Sequence, residues 1–526
     1  MKVDSRFLRQ EGLEVFTGNE LLVKGCLEVS GGTHLMTGYP GSPVSGFFDT
    51  AEELGELLRE KGVRAALANN EAHAVAMVNG SQMTGLRAVA AFKSVGVHVG
   101  SDALALGNLA GAHPEGGAVI IIGDDPWSES TQVPVDSRYI CKHLMMPVLE
   151  PATMQELKDW VELAFKLSRE AQLYIGYLVT TNQVDGGGCV AVRPNHFPKI
   201  NTANRTELDT SNLRLDDMVL LPPRTWHKER DLAPRYERLW HSARRHGANQ
   251  VLLPQTQPQG RYERGFVSAG QSYNYLQHAL CELGVTDQLP ILKLGITYPL
   301  DPALIAEFAG MVQTIIVVEE RRGFIEEQIA AILTERAQQD ARFERPALYG
   351  KKFPGGREGF THLRGLNPSL VIEKLGPVLL NLRDPAVKVD RARVEAELDL
   401  LRRTAEFDIH IIPRTPTFCP GCPHRDSASV LIEIKKQFRD AAYMRRKHGC
   451  GPVDLVFHGD TGCYTMLMFE PTSDLMHNYS GMGLGGATGA GIDPFIVNKQ
   501  VTFMGDSTFF HSGVTAISNS LKNGQD

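Results

Sequence analysis

The sequence has no apolar run near the ~20 residues that a membrane-spanning helix requires, so we expect no membrane association. Residues 1–16 include acidic side chains where a secretion signal requires an apolar segment, which predicts a cytoplasmic protein. The chain also lacks an excess of positive charge. Its net charge of −7 argues against a nucleic-acid-binding protein, which would be basic. A repeat of solenoid length is absent as well.

The remaining composition is that of an ordinary globular protein, with 42% hydrophobic and 22% charged residues. The length of 526 residues is enough for about three domains. The 51 glycines, many of them in pairs and triplets, predict tight turns near ligands. Of the eight cysteines, four are scattered and typical of buried free thiols, whereas Cys419, Cys422, Cys450 and Cys463 lie close together. In a cytoplasmic protein such a group indicates metal or redox chemistry before disulfides.

Short apolar runs alternate with helical patterns over residues 12–182, which predicts a parallel sheet covered by helices on both faces. The pattern is lost over 183–245, which is predicted to be a linker with one charged helix, and it resumes over 246–340. Residues 341–405 are again loop-rich and end in a second charged helix. A third α/β region begins near Thr415. The chain is therefore predicted to be a multi-domain α/β protein with parallel sheets. The predicted strands include Thr33–Thr37, Ala88–Ala91, Ala118–Ile122, Ala171–Thr180, Gly265–Ala269, Ile291–Leu294 and Thr314–Val318, and the predicted helices include Ser45–Lys61, Gly96–Gly111 and Pro151–Glu170.

The sharpest local motif is a pair of cysteines in a turn, Cys419-Pro-Gly-Cys422, followed by His424. Two thiolates at this spacing can face one metal ion, and Pro and Gly suit the turn between them. Cys463 is a third candidate ligand. From these residues alone, a structural zinc site, a thioredoxin-like dithiol and an iron–sulfur cluster all remain open. A [4Fe–4S] cluster normally takes four thiolates, and the fourth is missing unless Cys450 provides it.

Glu71 lies at a predicted turn from a strand into a helix, and it has two interpretations. In the first, Asn69 or Asn70 caps the helix and the acid in the first turn complements the helix dipole. In the second, the carboxylate forms a hydrogen bond with a nitrogen atom of a buried ligand. The local sequence leaves both interpretations open.

Gly505, Asp506 and Ser507 follow an apolar strand and precede a helical run. This order is typical of the turn on which thiamine-diphosphate enzymes present the first carboxylate ligand of Mg²⁺, a hard cation that takes oxygen ligands. In that motif a second ligand, usually Asn, follows on the next strand. The sequence ends before that strand, so we expect a chain that is truncated within this domain.

Two further turns at strand ends are candidate ligand sites. The segment Gly38 to Pro43, which contains Ser42, leads from a strand into a helix and can receive an anion on its amides. Lys93 follows a strand at its carboxyl end, where α/β proteins bind ligands, although a solvated loop charge is an equal alternative. Residues 481–486 match a dinucleotide-binding pattern without the apolar strand that should precede it. A helix of small residues packed tightly under a ligand is the better interpretation of that segment.

Taken together, the motifs resemble those of the 2-oxoacid:ferredoxin oxidoreductases, most closely the indolepyruvate ferredoxin oxidoreductase branch. The resemblance covers nearly the whole chain, with the motifs in family order. The motifs include GYPGSP at 38–43, NEAHAVA at 70–76, FKSVGVHVGSD at 92–102, IIGDDP at 121–126, GFVSAGQSYNYL at 265–276, LKLGITYPL at 292–300, VVEERRGFIEEQ at 317–328, CPGCPHR at 419–425, GDTGCY at 459–464 and GDSTFFHSG at 505–513.

The resemblance implies a layout of three thiamine-diphosphate-enzyme domains separated by linkers. Residues 1–195 would form a pyrimidine-binding domain and 246–345 a transketolase C-terminal-like domain. Residues 406–526 would form an incomplete diphosphate-binding domain. The linkers would be 196–245 and 346–405.

The resemblance also implies roles for individual residues. Glu71 would contact the aminopyrimidine ring of thiamine diphosphate, and Asp506 would bind Mg²⁺. The remaining implied residues are Gly505, Ser507, Met482 and Gly483 for the cofactor, Ser42 and Lys93 for the substrate's carboxylate side, and Cys419, Cys422 and Cys463 for a [4Fe–4S] cluster. His424 and His511 are candidates for proton transfer or polar contacts, with no role assigned.

The implied reaction is the oxidative decarboxylation of a 2-oxoacid, with an aryl pyruvate such as indolepyruvate favoured. Coenzyme A would take the acyl group, and electrons would pass through iron–sulfur centres to ferredoxin. We expect a homo- or hetero-oligomer with a further domain or subunit, because the ferredoxin-like run of closely spaced cysteines is absent from this sequence. Two alternatives remain open: a partner-dependent or inactive split subunit of such an enzyme, and a non-redox thiamine-diphosphate decarboxylase with structural zinc.

Overall fold

The structure, a computed structural model, describes residues 3–213, 218–255 and 260–525. Its internal contacts divide the chain into two compact units, Met1–Phe407 and Asp408–Asp526. The first unit contains a seven-stranded, a five-stranded and a two-stranded sheet, and the second contains a three-stranded sheet. Parallel pairing dominates in all but the two-stranded sheet. The predicted α/β class with several parallel sheets is confirmed.

The central strands of the seven-stranded sheet are buried on both faces. Val119 and Ile121 of a central strand pack into one core, whereas Ile120 and Ile122 of the same strand pack into another. Successive side chains of a strand point to opposite faces, so a strand that is covered on both faces reads as a continuous apolar run. The sheet is parallel except for one antiparallel edge strand, Ile296–Tyr298. Across the sheet the strands are Ile296–Tyr298, Val148–Leu149, Ile175–Thr180, Gly117–Asp124, Arg87–Lys93, Leu35–Gly38 and Arg64–Leu67.

The longest helix on this sheet begins and ends at recognisable signals. The Thr153 hydroxyl accepts a hydrogen bond from the Glu156 amide, and the Glu156 carboxylate accepts one from the Thr153 amide. The helix runs to Ala171 and ends at Gln172, which has a left-handed φ of 55°. The strand predicted from Ala171 therefore begins only at Ile175.

Glycine and turn geometry divide two of the predicted helices. The helix predicted over Gly96–Gly111 is interrupted at Gly100, and the one predicted over Ser45–Lys61 is interrupted at Leu54. The helices of this part of the chain are Ser5–Leu8 (3₁₀), Gly18–Glu28, Ser45–Glu53, Gly55–Glu60, Glu71–Ser81, Ser94–Val99, Ser101–Ala110, Ser137–His143, Met154–Ala171 and Thr181–Val184.

The five-stranded sheet contains the three predicted strands Gly265–Ala269, Ile291–Leu294 and Thr314–Val318 with the predicted bounds. These short runs of Val, Ile, Leu and Phe are buried along most of their length, which explains why their limits were readable from sequence. Across the sheet the strands are Ala347–Tyr349, Thr314–Val318, Gly265–Ala269, Ile291–Leu294 and the antiparallel Gln250–Leu252. The helices of this region are Gly270–Glu282, Pro302–Met311, Phe324–Gln339, Pro368–Leu380 and Arg391–Glu406, with Pro354–Gly356 as a 3₁₀ turn.

The segments predicted to be irregular contain more structure than expected. Helix Pro368–Leu380 lies in the region described from sequence as loop-rich, and its apolar side chains join the second core. The strand Gly187–Ala191 pairs antiparallel with Leu13–Thr17. Helices Arg224–Arg230 and Leu232–Arg245 replace the single charged helix expected before the second α/β region. Residues 214–217 of that segment lie outside the described residues.

The second unit has a small parallel sheet in the order Asn478–Tyr479, Leu455–Gly459 and Lys499–Thr502. Its core includes Phe457, Tyr464 and Leu467. The helices are Pro423–Arg439, Ala441–His448, Gly485–Ile492, Asp506–Thr508, Phe509–Gly513 (π) and Val514–Lys522, with 3₁₀ turns at Cys463–Met468, Ser473–Leu475 and Asp493–Phe495. In the part of the chain that the structure describes, no helix combines the length and apolarity needed to cross a membrane.

Candidate functional site

Most of the motifs of the second unit meet at one edge of its sheet. The three strands are parallel, so their carboxyl ends lie on the same side. Cys463 follows strand Leu455–Gly459, and Gly483 follows strand Asn478–Tyr479. Asp506 follows strand Lys499–Thr502. We call this side the strand-end edge of the second unit; it is the position at which open α/β sheets bind ligands.

Asp460 lies buried at the centre of this edge, directly after the central strand. The Tyr464 hydroxyl donates a hydrogen bond to its carboxylate, and the Gly485 amide donates another over 3.3 Å. Burial raises the pKa of the Asp460 carboxyl, and the nearby His511 opposes that effect. Sequence reasoning overlooked Asp460. Its signal was an acid immediately after an apolar strand, the same pattern that singled out Asp506.

The CPGCPHR loop lies beside the loop that carries Cys463. The His424 ring is 5.4 Å from the Tyr464 ring and 5.5 Å from the Phe503 ring, measured between centroids. Within the cysteine turn, the Cys422 amide donates to the Cys419 carbonyl over 3.2 Å. Gly421 at φ 70° supplies the left-handed conformation that this turn needs. The structure thus places the two cysteine-bearing loops next to each other.

The three cysteines predicted as metal ligands in the second unit have free thiol groups. Cys419 and Cys463 are exposed, Cys422 is half-buried, and none of them is in a disulfide. Within residues 3–213, 218–255 and 260–525, no three side chains of His, Cys, Asp or Glu are grouped as metal ligands. The [4Fe–4S] ligand set therefore stays a prediction.

Asp506 is the first residue of a short helix, and its carboxylate accepts a hydrogen bond from the Ser507 amide over 2.8 Å. Its side chain is exposed to solvent. Gly505 precedes it in extended conformation and lies close to Tyr464, since a Cβ there would be 3.2 Å from Tyr464 Cε1. The Gly-Asp-Ser turn therefore presents its carboxylate to solvent at the strand-end edge, and its role as a Mg²⁺ ligand stays a prediction.

The glycine-rich segment 481–486 packs closely and leads into helix Gly485–Ile492. Gly483 has φ 79°, and a Cβ at this position would lie 2.7 Å from Ser512 Cβ. Gly486 faces helix Val514–Lys522, where a Cβ would lie 3.4 Å from the Ser520 hydroxyl oxygen. These contacts support the interpretation as a close-packed small-residue segment. Met482 precedes Gly483 in the same turn.

The structure confirms the capping interpretation of the turn at Glu71, whereas a hydrogen bond from Glu71 to a ligand stays a prediction. It is the first residue of helix Glu71–Ser81, and Asn70 caps that helix by accepting the His73 amide at 2.9 Å. Glu71 is nevertheless 7% exposed, with its carboxylate against Gly96. A Cβ at Gly96 would lie 2.6 Å from Glu71 Oε1, so only glycine leaves room for the carboxylate there.

Ser42 and Lys93 are brought together by one loop. Lys93 Nζ donates to the Ser130 carbonyl over 2.7 Å, and Ser130 Oγ lies 3.2 Å from Ser42 Oγ. Burial lowers the pKa of the Lys93 ammonium, and the nearby Asp125 carboxylate opposes this shift. Lys93 ends a strand, is half-buried and donates its ammonium to a carbonyl, so it is not a free loop charge, and its role toward a substrate stays a prediction.

A buried group of charged residues lies between the two large sheets, and sequence reasoning did not identify it. Arg138 Nη1 donates to Glu319 across the two sheets over 3.0 Å, and Arg138 Nη2 donates to Asp136 over 2.8 Å. Burial raises the pKa of Asp124, Glu319 and Glu320 to about 7 in each case. We call this the buried charge cluster; its members are Asp124, Asp136, Arg138, Glu150, Glu319, Glu320 and Lys351. The signal was again an acid following an apolar strand, in IIGDDP, VLEP and VVEE.

Comparisons with known proteins agree with these motifs. A family model described as an indolepyruvate oxidoreductase domain matches residues 256–404. The indolepyruvate oxidoreductase subunit IorA of Archaeoglobus fulgidus is 28% identical over 521 residues, covering 98% of this chain and 74% of that protein. This chain is a relative of the indolepyruvate oxidoreductase subunits. The subunit IorA of Methanothermobacter marburgensis is 26% identical and covers 97% of this chain and 73% of its own length. The resemblance to this branch that the motifs indicated is confirmed.

Two solved structures also align with this relative of the indolepyruvate oxidoreductases. A 2-oxoglutarate:ferredoxin oxidoreductase from Magnetococcus marinus aligns with a TM-score of 0.46 and 14% identity. That alignment covers 73% of this chain and 65% of the other, which is less than two thirds of its length. A split-gene transketolase aligns with a TM-score of 0.40 and 16% identity, over 74% of this chain and 100% of that one.

Proposed function

We propose that this chain is a subunit of an enzyme that oxidatively decarboxylates a 2-oxoacid to an acyl-CoA, with ferredoxin as the electron acceptor. An aryl pyruvate such as indolepyruvate is the favoured substrate, because the curated relatives are named for it. The single observation that carries the proposal is the meeting of Cys463, Gly483 and Asp506 at one strand-end edge. The relatives are named as subunits, which supports an assembly with a further chain.

The chain contains residues whose chemistry fits thiamine diphosphate and Mg²⁺. Glu71 is buried beside a glycine that leaves its carboxylate room, and Asp506 presents an exposed carboxylate after a strand. We assign Glu71 to the aminopyrimidine ring and Asp506 to the magnesium ion, with Gly505, Ser507, Met482 and Gly483 around the diphosphate. When bound, thiamine diphosphate supplies a nucleophilic carbon and an electron sink for decarboxylation.

The chain's own groups then have distinct tasks. The buried Glu71 carboxylate holds a proton on a ring nitrogen, and the low local polarity strengthens that hydrogen bond. Lys93 and Ser42 orient the 2-oxoacid through its carboxylate, since an ammonium and a hydroxyl group both donate to oxygen. Holding the carboxylate fixed aligns the bond that breaks when CO₂ leaves.

The cysteine loops fit an iron–sulfur cluster by their chemistry. Cys419, Cys422 and Cys463 are free thiols on adjacent loops, and thiolates are the ligands that such clusters take. We assign these three residues to a [4Fe–4S] cluster. A cluster at this position would lie on the same strand-end edge as Asp506.

The proposal is tested by anaerobic reconstitution of the chain with iron, sulfide, thiamine diphosphate and Mg²⁺, followed by addition of the partner subunit. We expect a brown protein with broad visible absorption and with ferredoxin reduction that requires indolepyruvate and coenzyme A together. A colourless protein that binds zinc and releases CO₂ without coenzyme A would instead identify the non-redox decarboxylase. A brown protein that stays inactive with every 2-oxoacid would identify an inactive split subunit.

A further inference from the structure

The loop at 125–130 follows the central strand of the seven-stranded sheet and contacts both residues assigned to the substrate. Its Ser130 carbonyl accepts from Lys93 Nζ over 2.7 Å, and its Ser130 hydroxyl lies 3.2 Å from the Ser42 hydroxyl. Inside the loop, the Asp125 carboxylate accepts from the Ser130 amide over 2.8 Å. A displacement of Ser130 would therefore move the acceptor of Lys93 and the neighbour of Ser42 together.

Arg321 holds this loop from the other sheet. Its Nη2 donates to the Asp125 carbonyl over 3.0 Å and to the Ser128 hydroxyl over 2.7 Å. Arg321 is 5% exposed, so water does not compete for these two bonds. Its backbone φ of 50° lies in the left-handed region, which a non-glycine residue adopts only where its surroundings fix it.

A second contact from the same α/β region fixes the middle of the loop. The Arg364 guanidinium lies 5.2 Å from the centre of the Trp127 ring, within the range of a cation–π interaction. Gly365 lies so close that a Cβ there would be 2.5 Å from Trp127 Nε1. The loop is therefore held at Asp125 and Ser128 by one segment and at Trp127 by another.

We propose that Arg321 is a positioning residue for the 2-oxoacid site, acting through the 125–130 loop on Lys93 and Ser42. The substrate role of Lys93 and Ser42 rests on the proposed function, whereas the mechanical coupling of Arg321 to Lys93 does not. The two parts can therefore be tested separately.

The coupling is measured by competitive acetylation of lysines in the full chain, read by peptide mass spectrometry over a range of pH. In Arg321→Met we expect the acetylation rate of Lys93 to rise about tenfold, the effect of losing one hydrogen bond to a charged group. The control is Arg322→Met, whose exposed side chain stacks on Tyr139 at 4.7 Å and does not contact the loop.

An unchanged Lys93 profile in Arg321→Met would overturn the proposal and leave Arg321 a residue of sheet packing alone. If that variant fails to fold, Ser128→Ala removes one acceptor of Arg321 with little change in volume, and a several-fold rise in Lys93 acetylation is expected. The conservative Arg321→Lys should restore part of the wild-type profile.

The reconstituted holoenzyme then separates the proposal from the function on which it rests. We expect Arg321→Met to raise the KM for the 2-oxoacid about tenfold with a smaller change in kcat, because substrate orientation is affected more than the chemical step. An altered Lys93 profile with an unchanged KM would confirm the coupling of Arg321 to Lys93 but overturn the role of both residues at the 2-oxoacid site. An unchanged profile with an altered KM would contradict the coupling.

Discussion

The two units differ in how they hold their candidate residues. In the first unit, Glu71 is 7% exposed and Lys93 is bound through a loop that both large sheets contact. In the second unit, Asp506 and Cys463 are exposed, and Phe495 and Val497 are 84% and 88% exposed. The first unit therefore fixes its candidate residues by its own packing, whereas the second presents them on a surface.

This difference shows which interactions keep the candidate side chains of each unit in place. Buried side chains are held by a core that excludes water and that penalises any change in volume. Exposed ligand residues are ordered mainly by what they bind, because metal binding and folding are coupled. We therefore expect ligands to stabilise the second unit more than the first.

The largest expected effect is the loss of the iron–sulfur cluster from the second unit. In reconstituted protein, Cys419→Ser should abolish the visible absorption of the cluster, since a hydroxyl replaces the thiolate ligand. Cluster assembly should raise the unfolding midpoint of the second unit and leave that of the first unchanged, which calorimetry with and without reconstitution can measure. Cys281→Ser changes an exposed thiol of the first unit and should retain all the iron. Full iron and sulfide content in Cys419→Ser would exclude this residue as a ligand.

A second prediction tests the packing around Glu71 in the first unit. Gly96→Ala places a methyl group 2.6 Å from Glu71 Oε1 and should lower the free energy of unfolding by about 1–3 kcal/mol, the usual cost of overpacking. Denaturant unfolding measures the change. Gly80→Ala is the matched control, because nothing lies within 4 Å of its Cβ position, and it should stabilise the helix by about 0.5–1 kcal/mol. Equal stability of the two variants would show that Glu71 is not confined.

The buried charge cluster predicts a pH dependence for the first unit. Burial raises the pKa of Glu319 and Glu320 to about 7, so the folded chain keeps protons that the unfolded chain releases above about pH 4. Stability should therefore fall as pH rises from about 4 to 7, by at most about 1.4 kcal/mol per pH unit for each retained proton. The melting temperature as a function of pH measures this decline.

The same measurement on variants shows whether the cluster is responsible. Glu320→Gln keeps an acceptor for the Leu366 amide, which donates over 2.8 Å, and should flatten the decline. Glu395→Gln, at an exposed position, should leave it unchanged. A melting temperature that rises between pH 5 and 7 in the wild-type chain would contradict the assignment of the raised pKa values.

The smallest expected effect shows which asparagine caps the helix that begins at Glu71. Asn70→Ala removes the acceptor of the His73 amide and should cost about 1 kcal/mol of unfolding free energy. The exposed neighbour Asn69→Ala should change stability by less than about 0.5 kcal/mol. If Asn69→Ala has the larger effect, the cap has been assigned to the wrong residue.

The buried strands show which parts of the fold could be predicted from the sequence. Gly265–Ala269, Ile291–Leu294 and Thr314–Val318 match their predicted bounds, because a strand covered on both faces is a distinct apolar run. Helix Pro368–Leu380 was missed, since its stability comes from packing against the second core. Helix ends were less predictable than strand ends: the interruption at Gly100 depends on local backbone geometry.

Candidate residues were readable where a motif stands at a strand end. In this way Glu71, Lys93, Cys463 and Asp506, whose roles stay predictions, were singled out. The buried charge cluster was not, because its members come from segments far apart in the chain, as in the bond between Arg138 and Glu319. Each acid alone resembles an ordinary loop residue, and only contact between the two sheets makes it buried.

The sequence by itself determined the α/β class, the motifs that make this chain a relative of the indolepyruvate oxidoreductase subunits, and the strand ends that carry them. Local patterns suffice for these features, since they depend on side-chain period and on residues near one another in the chain. Only the tertiary structure decided that Arg321 contacts the loop beside Lys93 and that Asp460 lies at the centre of the strand-end edge. Burial and pairing of polar groups depend on distant segments, and no local pattern specifies which of them will meet.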